Sequence, residues 1–307
     1  MVIYHLVDKM CGRPGQSGKL CRVGESQRKR HGVIMLRVRH VMGRAGLVAG
    51  LVVCAPAIAG AVTNLEAHRA VYAMSLVGSE DGSDISSVSG RLVLEAQGST
   101  CEGFTTNQRI VNRMGSKQGS DFVSDFRVSS WESADGDSFT FSMVHYVNGA
   151  LVEQIEGQAD RSISGGKAQF SKPTSDSIAL PAGVIFPAEQ IIAMIDAARA
   201  GERLFAADVF DGSDTEHYFA TTTFFGASAK GLPADEEAEP GASLEGLSYW
   251  PVRVSYFDPA DSSGLPDFEV SLRLYENGVA TGMEMDYGDL VIAARLLDLE
   301  QLPMTDC

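Results

Sequence analysis

Polarity alternates residue by residue from position 139, where Phe139, Phe141, Met143, His145 and Val147 are separated by Thr140, Ser142, Val144 and Tyr146. A period of two places successive side chains on opposite faces of a strand, so the first set is expected to face a core. The same pattern flanks Asn277-Gly278: Val270, Leu272 and Leu274 alternate with Glu269, Ser271 and Arg273, and Met283 and Met285 with Glu284 and Asp286. Further strands are expected over 69–77, 88–96, 103–114, 122–132, 151–157, 168–170, 204–210, 216–226 and 249–257. Asp135-Gly136, Asn148-Gly149, Gly165-Gly166, Asp211-Gly212 and Asn277-Gly278 punctuate these runs with residues that tolerate positive φ, as hairpin turns require. A dozen or so hairpin-linked strands do not lie comfortably in one flat sheet. The expected fold is therefore mainly β, a many-stranded antiparallel spiral or barrel-like sheet.

One segment departs from this period. Pro187 can open a helix, Ile191, Ile195 and Ala198 follow at helical spacing, Arg199 falls in the last turn and Gly201 just beyond it. The one substantial helix is expected over 187–200, with its apolar stripe packed on the curled sheet. The tail fits either pattern: Leu290, Ala294 and Leu297 suit a helix, whereas Leu290, Ile292, Ala294 and Leu296 suit a strand. Residues 227–246, rich in glutamate and containing Glu239-Pro240-Gly241, read as a solvated loop.

The amino-terminal region has a different logic. Arg37, Arg39 and Arg44 precede the apolar run Ala45 to Val53, and small residues follow around Pro56. That is a signal peptide over 35–61, with cleavage expected after Ala59 or Ala61. A retained anchor is the rival reading, but the 17 residues from Ala45 to Ala61 contain Pro56 and lie at the short limit of a membrane span. Leu51-Val52-Val53-Cys54 has the outline of a lipobox, against which Val53 argues because a small residue belongs there. Residues 1–34 are basic and lack apolar period, as expected of a start codon placed too far upstream or of a disordered leader. Residues 62–307 then form a single domain of 246 residues, long enough for a large core.

Removing the leader changes what the charge means. The chain holds 25 Lys and Arg against 40 Asp and Glu, yet ten of the basic residues and only Asp8 and Glu25 among the acids lie in 1–61. From Val62 onward there are 15 basic and 38 acidic residues, a net charge of −23. A phosphate backbone would repel such a chain, which argues against nucleic acid as a partner.

Candidate chemistry is sparse. Ser164-Gly165-Gly166-Lys167 matches a bare Ser-x-x-Lys pattern, but its glycines read as a hairpin turn and no Lys-Thr-Gly accompanies it. His68, His145 and His217 are the histidines of the processed chain, far apart and without a zinc-ligand frame. Asp208, Asp211 and Asp214 around Gly212 lack the spacing of a calcium loop and read as a turn. No catalytic residue, metal or cofactor is expected. The processed chain retains two cysteines, Cys101 and Cys307. Export to an oxidising compartment favours joining them, and a link between residues 206 positions apart would remove on the order of 5 kcal/mol of unfolded-chain freedom.

Several motifs in fixed order carry a resemblance: Ala67-His68-Arg69-Ala70-Val71-Tyr72, Leu180 to Pro187, Phe268 to Gly278 with Leu274-Tyr275-Glu276-Asn277-Gly278, Asp286-Tyr287-Gly288-Asp289, and the terminal cysteine. Over residues 65–307 the chain resembles the EipB family of periplasmic cell envelope integrity proteins of alphaproteobacteria. The resemblance implies a single-domain β-spiral similar in layout to the lipoprotein carriers LolA and LolB. It also implies a disulfide between Cys101 and Cys307, a strand rather than a helix from Leu290 to Leu299, and a role in envelope maintenance under stress without catalysis. Location in the periplasm follows, as does a protein that is not integral to the membrane once cleaved.

Two classes of function stay open. One is a binding scaffold whose curled sheet and helix form a groove for an envelope protein, lipoprotein, lipid or peptide, with Trp131, Phe141, Tyr249 and Trp250 as candidate wall residues. The other is an enzyme acting on envelope lipid or peptidoglycan material. The missing set of nucleophile, base and orienting group favours the first.

Overall fold

The computed structural model describes residues 63–80, 82–232 and 244–304. The expected leader, signal peptide, cleavage sites and Cys54 lie outside the described residues, as does Cys307.

The described chain is one antiparallel sheet of fifteen strands with a single helix inserted between the eighth and ninth. Its elements are β1 (His68–Ser79), β2 (Ile85–Ser99), β3 (Gly103–Ser116), β4 (Asp121–Glu132), β5 (Ser138–Val147), β6 (Ala150–Ser162), β7 (Gly165–Lys172), β8 (Asp176–Leu180), α1 (Pro187–Arg199), β9 (Leu204–Val209), β10 (Phe219–Phe225), β11 (Ala229–Lys230), β12 (Ser248–Phe257), β13 (Phe268–Tyr275), β14 (Ala280–Asp286) and β15 (Leu290–Gln301). The order across the sheet runs from β8 back to β1, then β15, β14, β13, β12, β10 and β9, with β11 attached to β12. The first and last strands therefore pair at the centre of the sheet, and β8 and β9 form its edges.

Alternation explains most of this layout. On β5, Phe139, Phe141, Met143 and His145 are buried, while Thr140 is exposed and Ser142 and Val144 are only partly covered. Asn148 and Gly149 take φ values of 50° and 79°, which lets β5 turn directly into β6. The other expected turns differ in detail. Gly165 and Gly166 begin β7 rather than forming the turn, which falls on Ile163 and Ser164. They are glycines for lack of room, since a Cβ at Gly166 would lie 2.5 Å from the carbonyl oxygen of Asp160. The tail is a strand, β15, paired with both β1 and β14. β8 had no visible alternation, and it owes its place to pairing with β7. The stretch read as a solvated loop contains β11 and the fully buried Leu244.

Helix α1 turns the sheet into an enclosure. Its buried residues are Ala188, Gln190, Met194, Ile195, Ala197 and Ala198, so Ile195 and Ala198 fall where the helical spacing put them. Gly201, at φ 79°, ends the helix: its N–H donates to Ala198 O at 3.1 Å and the Glu202 N–H donates to Ala197 O at 3.0 Å. Between β8 and the helix, the Ile185 N–H donates to Asp208 O at 2.9 Å and the Phe210 N–H to Ile185 O at 3.1 Å. This short parallel bridge covers part of the β9 edge, where unpaired backbone groups would otherwise invite another strand.

The inner face is aromatic at two places. Phe139 stacks on Phe186 with centroids 5.0 Å apart and meets Phe210 edge-on at 6.3 Å, and Phe141 packs against Phe170 and Phe210. Tyr256 stacks on Phe268 at 4.3 Å, with Phe219 edge-on to both.

Candidate functional site

An apolar cavity opens between α1 and the concave face of the sheet. It is a groove of about 1150 Å³ including open solvent, within which the cavity proper has a volume of about 90 Å³. One wall comes from β1 to β4. Register aligns His68 with Ala96, Ala96 with Thr106, and Thr106 with Ser130, a row of small and polar side chains across four strands. The next row inward aligns Leu94, Gln108 and Val128. Val254, Val270, Leu274 and Ala280 form the opposite wall, and Ala188, Gln190, Ile191 and Met194 of α1 cover it. Ile191 is only half-buried because it borders this space.

The helix is fixed from outside. Its N-cap residue is Phe186, which supplies no side-chain cap. The carboxylate of Glu132, at the end of β4, does so instead, accepting from the Ala188 N–H at 2.8 Å and the Glu189 N–H at 3.1 Å. Burial pushes the Glu132 carboxyl up to about 7, against the two backbone bonds that favour its charged form. Beside it Arg161 donates to Glu189 at 2.5 Å and to Gly136 O at 2.6 Å, and lies 5.2 Å from the centre of the Phe186 ring.

Two buried polar side chains stand on the cavity wall, and one of them, His68, carries an unmet atom. His68 is 4% exposed, and its Nδ1 lies 2.7 Å from the carbonyl oxygen of Glu66, whereas its Nε2 meets no hydrogen-bonding atom. Burial drives the His68 pKa down, outweighing the contact with Glu66 that raises it. Gln190 is 3% exposed, and its side-chain amide hydrogen-bonds the hydroxyl of Tyr256, a further wall residue. Neither stands out as a binding residue in the sequence, because His68 belongs to no ligand-binding motif and Gln190 sits within the apolar period of the helix.

None of the four aromatic residues expected on the groove wall lines this cavity. Trp131 is 42% exposed on the outer face of β4, opposite Thr105 and Thr140. Phe141 and Trp250 are buried in the core, and Tyr249 packs against Tyr275 with centroids 5.2 Å apart. For the buried pair the reason lies in size: much of the wall is built from small side chains, Ala96, Thr106, Ser130 and Ala188, whereas Phe141 and Trp250 fill the core.

The other chemical candidates lie apart from the cavity. His145 Nε2 lies 2.9 Å from Ser124 Oγ inside the sheet. Ser164 is exposed in the β6–β7 turn, with its hydroxyl 3.1 Å from that of Ser162. Asp211 accepts from the backbone and hydroxyl of Ser213 at 3.0 and 2.6 Å, the bonding of a tight turn. His217 Nε2 is 3.7 Å from Asp214 and its Nδ1 is 3.0 Å from Tyr218 O. Among the described residues no group of His, Cys, Asp and Glu has the geometry to hold a metal ion. Cys101, in the β2–β3 turn, is disulfide-bonded.

Residues 59–303 match the EipB-like family. This chain belongs to that family. It is 32% identical over 245 residues to the cell envelope integrity protein EipB of Brucella abortus, covering 80% of this chain and 87% of that protein. The fold agrees with a crystal structure of a beta-barrel-like protein from Brucella abortus, at a TM-score of 0.75 and 32% identity. That superposition covers 78% of this chain and all of the other. Among the described residues no helix is long and apolar enough to cross a membrane.

Proposed function

We propose that this EipB-like protein is exported to the periplasm and maintains cell envelope integrity under stress as a non-catalytic binding or scaffold protein. It holds the apolar part of a lipid, lipidated protein or peptide beneath α1. The cavity carries this reading. A close-packed interior fills such a space, whereas here Leu94, Ile191, Met194, Val254 and Leu274 border room that their own side chains leave empty. The name of the Brucella relative points the same way. His145, Ser164 and His217 lie in three unconnected settings, which supports binding over catalysis.

Deleting the gene should sensitise cells to detergents and cell-wall antibiotics. Substitutions of His145, Ser164 or His217 should still complement the deletion. A single conservative polar substitution that abolished complementation while folded protein accumulated normally would replace this reading with an enzyme acting on envelope material.

A further inference from the structure

The polar atoms of the cavity specify more than an apolar ligand. A carbonyl oxygen has no proton to give, so in the 2.7 Å contact between His68 Nδ1 and Glu66 O the ring nitrogen is the donor. That bond fixes the tautomer of a neutral imidazole and leaves Nε2 as a bare acceptor. Burial keeps the ring neutral. An unmet acceptor on the wall of an apolar cavity costs free energy in the empty protein.

Charge narrows the choice. The wall contains no lysine or arginine, and its one carboxylate, Glu66, already accepts from the side-chain amides of Asn277 and Gln301. An anionic head would be desolvated with no cation to meet it, and a quaternary ammonium head has no N–H or O–H to offer His68 Nε2. A hydroxyl is both donor and acceptor and carries no charge.

We propose that the cavity takes a single-chain amphiphile with an uncharged, hydroxyl-bearing head, the chemistry of a monoacylglycerol or fatty alcohol, and that His68 Nε2 accepts the proton of that hydroxyl. This rests on the cavity being a binding site. Its failure is separable from failure of that reading.

The mature protein is titrated at about pH 8, where a carboxyl is ionised, with 1-monododecanoylglycerol, dodecanoate and dodecyltrimethylammonium. Each displaces the hydrocarbon dye diphenylhexatriene. The neutral glyceride should bind at least about tenfold more tightly than either charged amphiphile. His68→Leu should weaken the glyceride by roughly tenfold and leave dye uptake unchanged. Equal or tighter binding of dodecanoate or the ammonium compound by the unmodified protein overturns the head-group assignment while the cavity remains a binding site. Unchanged glyceride affinity in a folded His68→Leu protein that still takes up the dye also overturns it. If the dye does not enter at all, the cavity reading falls and this assignment with it.

Discussion

Glu132 makes the hold on α1 depend on pH. Its carboxyl is 4% exposed, accepts the first free N–H groups of the helix, and is pushed from 4.5 to about 7 by burial. A carboxyl whose folded pKa is raised binds its proton more tightly in the folded state. Its contribution to stability is therefore complete below 4.5 and is lost as pH rises through about 7. Each pKa unit corresponds to about 1.4 kcal/mol, so the stability lost over this window amounts to about 3 kcal/mol. Glu132→Gln cannot ionise and keeps one acceptor for the helix. Urea unfolding of both proteins should show the variant gaining about 3 kcal/mol relative to wild type between about pH 4.5 and pH 8. Asp211, also raised by burial, titrates in both proteins and cancels from the comparison. A stability difference that stays constant across that range would refute the assignment of Glu132 as a desolvated, titrating cap.

Further outcomes follow from single positions. Thiol labelling of unfolded, unreduced mature protein should find no free cysteine, and Cys307→Ser should lower stability by up to roughly 5 kcal/mol; stoichiometric labelling would remove the premise of a Cys101–Cys307 link. Gly212→Ala should cost on the order of 2–4 kcal/mol in urea melts, because φ is 74° and the new Cβ would lie 2.4 Å from the Phe141 ring; a cost under roughly 0.5 kcal/mol would show that the ring moves aside freely. Ala96→Leu should narrow the cavity and abolish uptake of an apolar dye while leaving the thermal midpoint unchanged or higher, and undiminished uptake would place the binding space elsewhere. Intact mass of the exported protein should correspond to a start at Gly60 or Val62; acylated Cys54 or an uncleaved chain would contradict the processing.

The strands were legible wherever one face is wet. Phe139 to Val147 and Val270 to Leu274 alternate because each faces the core on one side only, and the helix announced itself through Pro187, Ile195 and Gly201. Legibility failed where long-range pairing decides. The 290–299 tail fits both periods because Val291, Ala293 and Leu297 are apolar on the face where polar residues would mark the alternation, and its pairing with β1 and β14 settles the outcome. The cavity was less visible still. It is written in small residues, Ala96, Thr106, Ser130 and Ala188, which share a wall only through register and helix docking. Of the aromatic residues expected on the wall, Phe141 and Trp250 fill the core and Trp131 is exposed on the outer face.

Register is compatible with the expected link between Cys101 and Cys307. Gln301 and Ala96 stand on opposite sides of His68, in β15 and β2, and both strands run antiparallel to β1 and so in the same direction. Five residues beyond Ala96 comes Cys101, and six beyond Gln301 comes Cys307. A tail of that length can span about 20 Å, more than the two strand spacings of roughly 10 Å that separate β15 from β2. The β2–β3 turn that carries Cys101 is flanked by Gln97, Gly98, Phe104 and Thr105, all on the wall of the cavity. A Cys101–Cys307 staple would fix the rim of the cavity as well as the end of the chain. Reduction of the protein should then weaken uptake of an apolar dye as well as lower stability, and unchanged uptake in the reduced, folded protein would separate the link from the cavity.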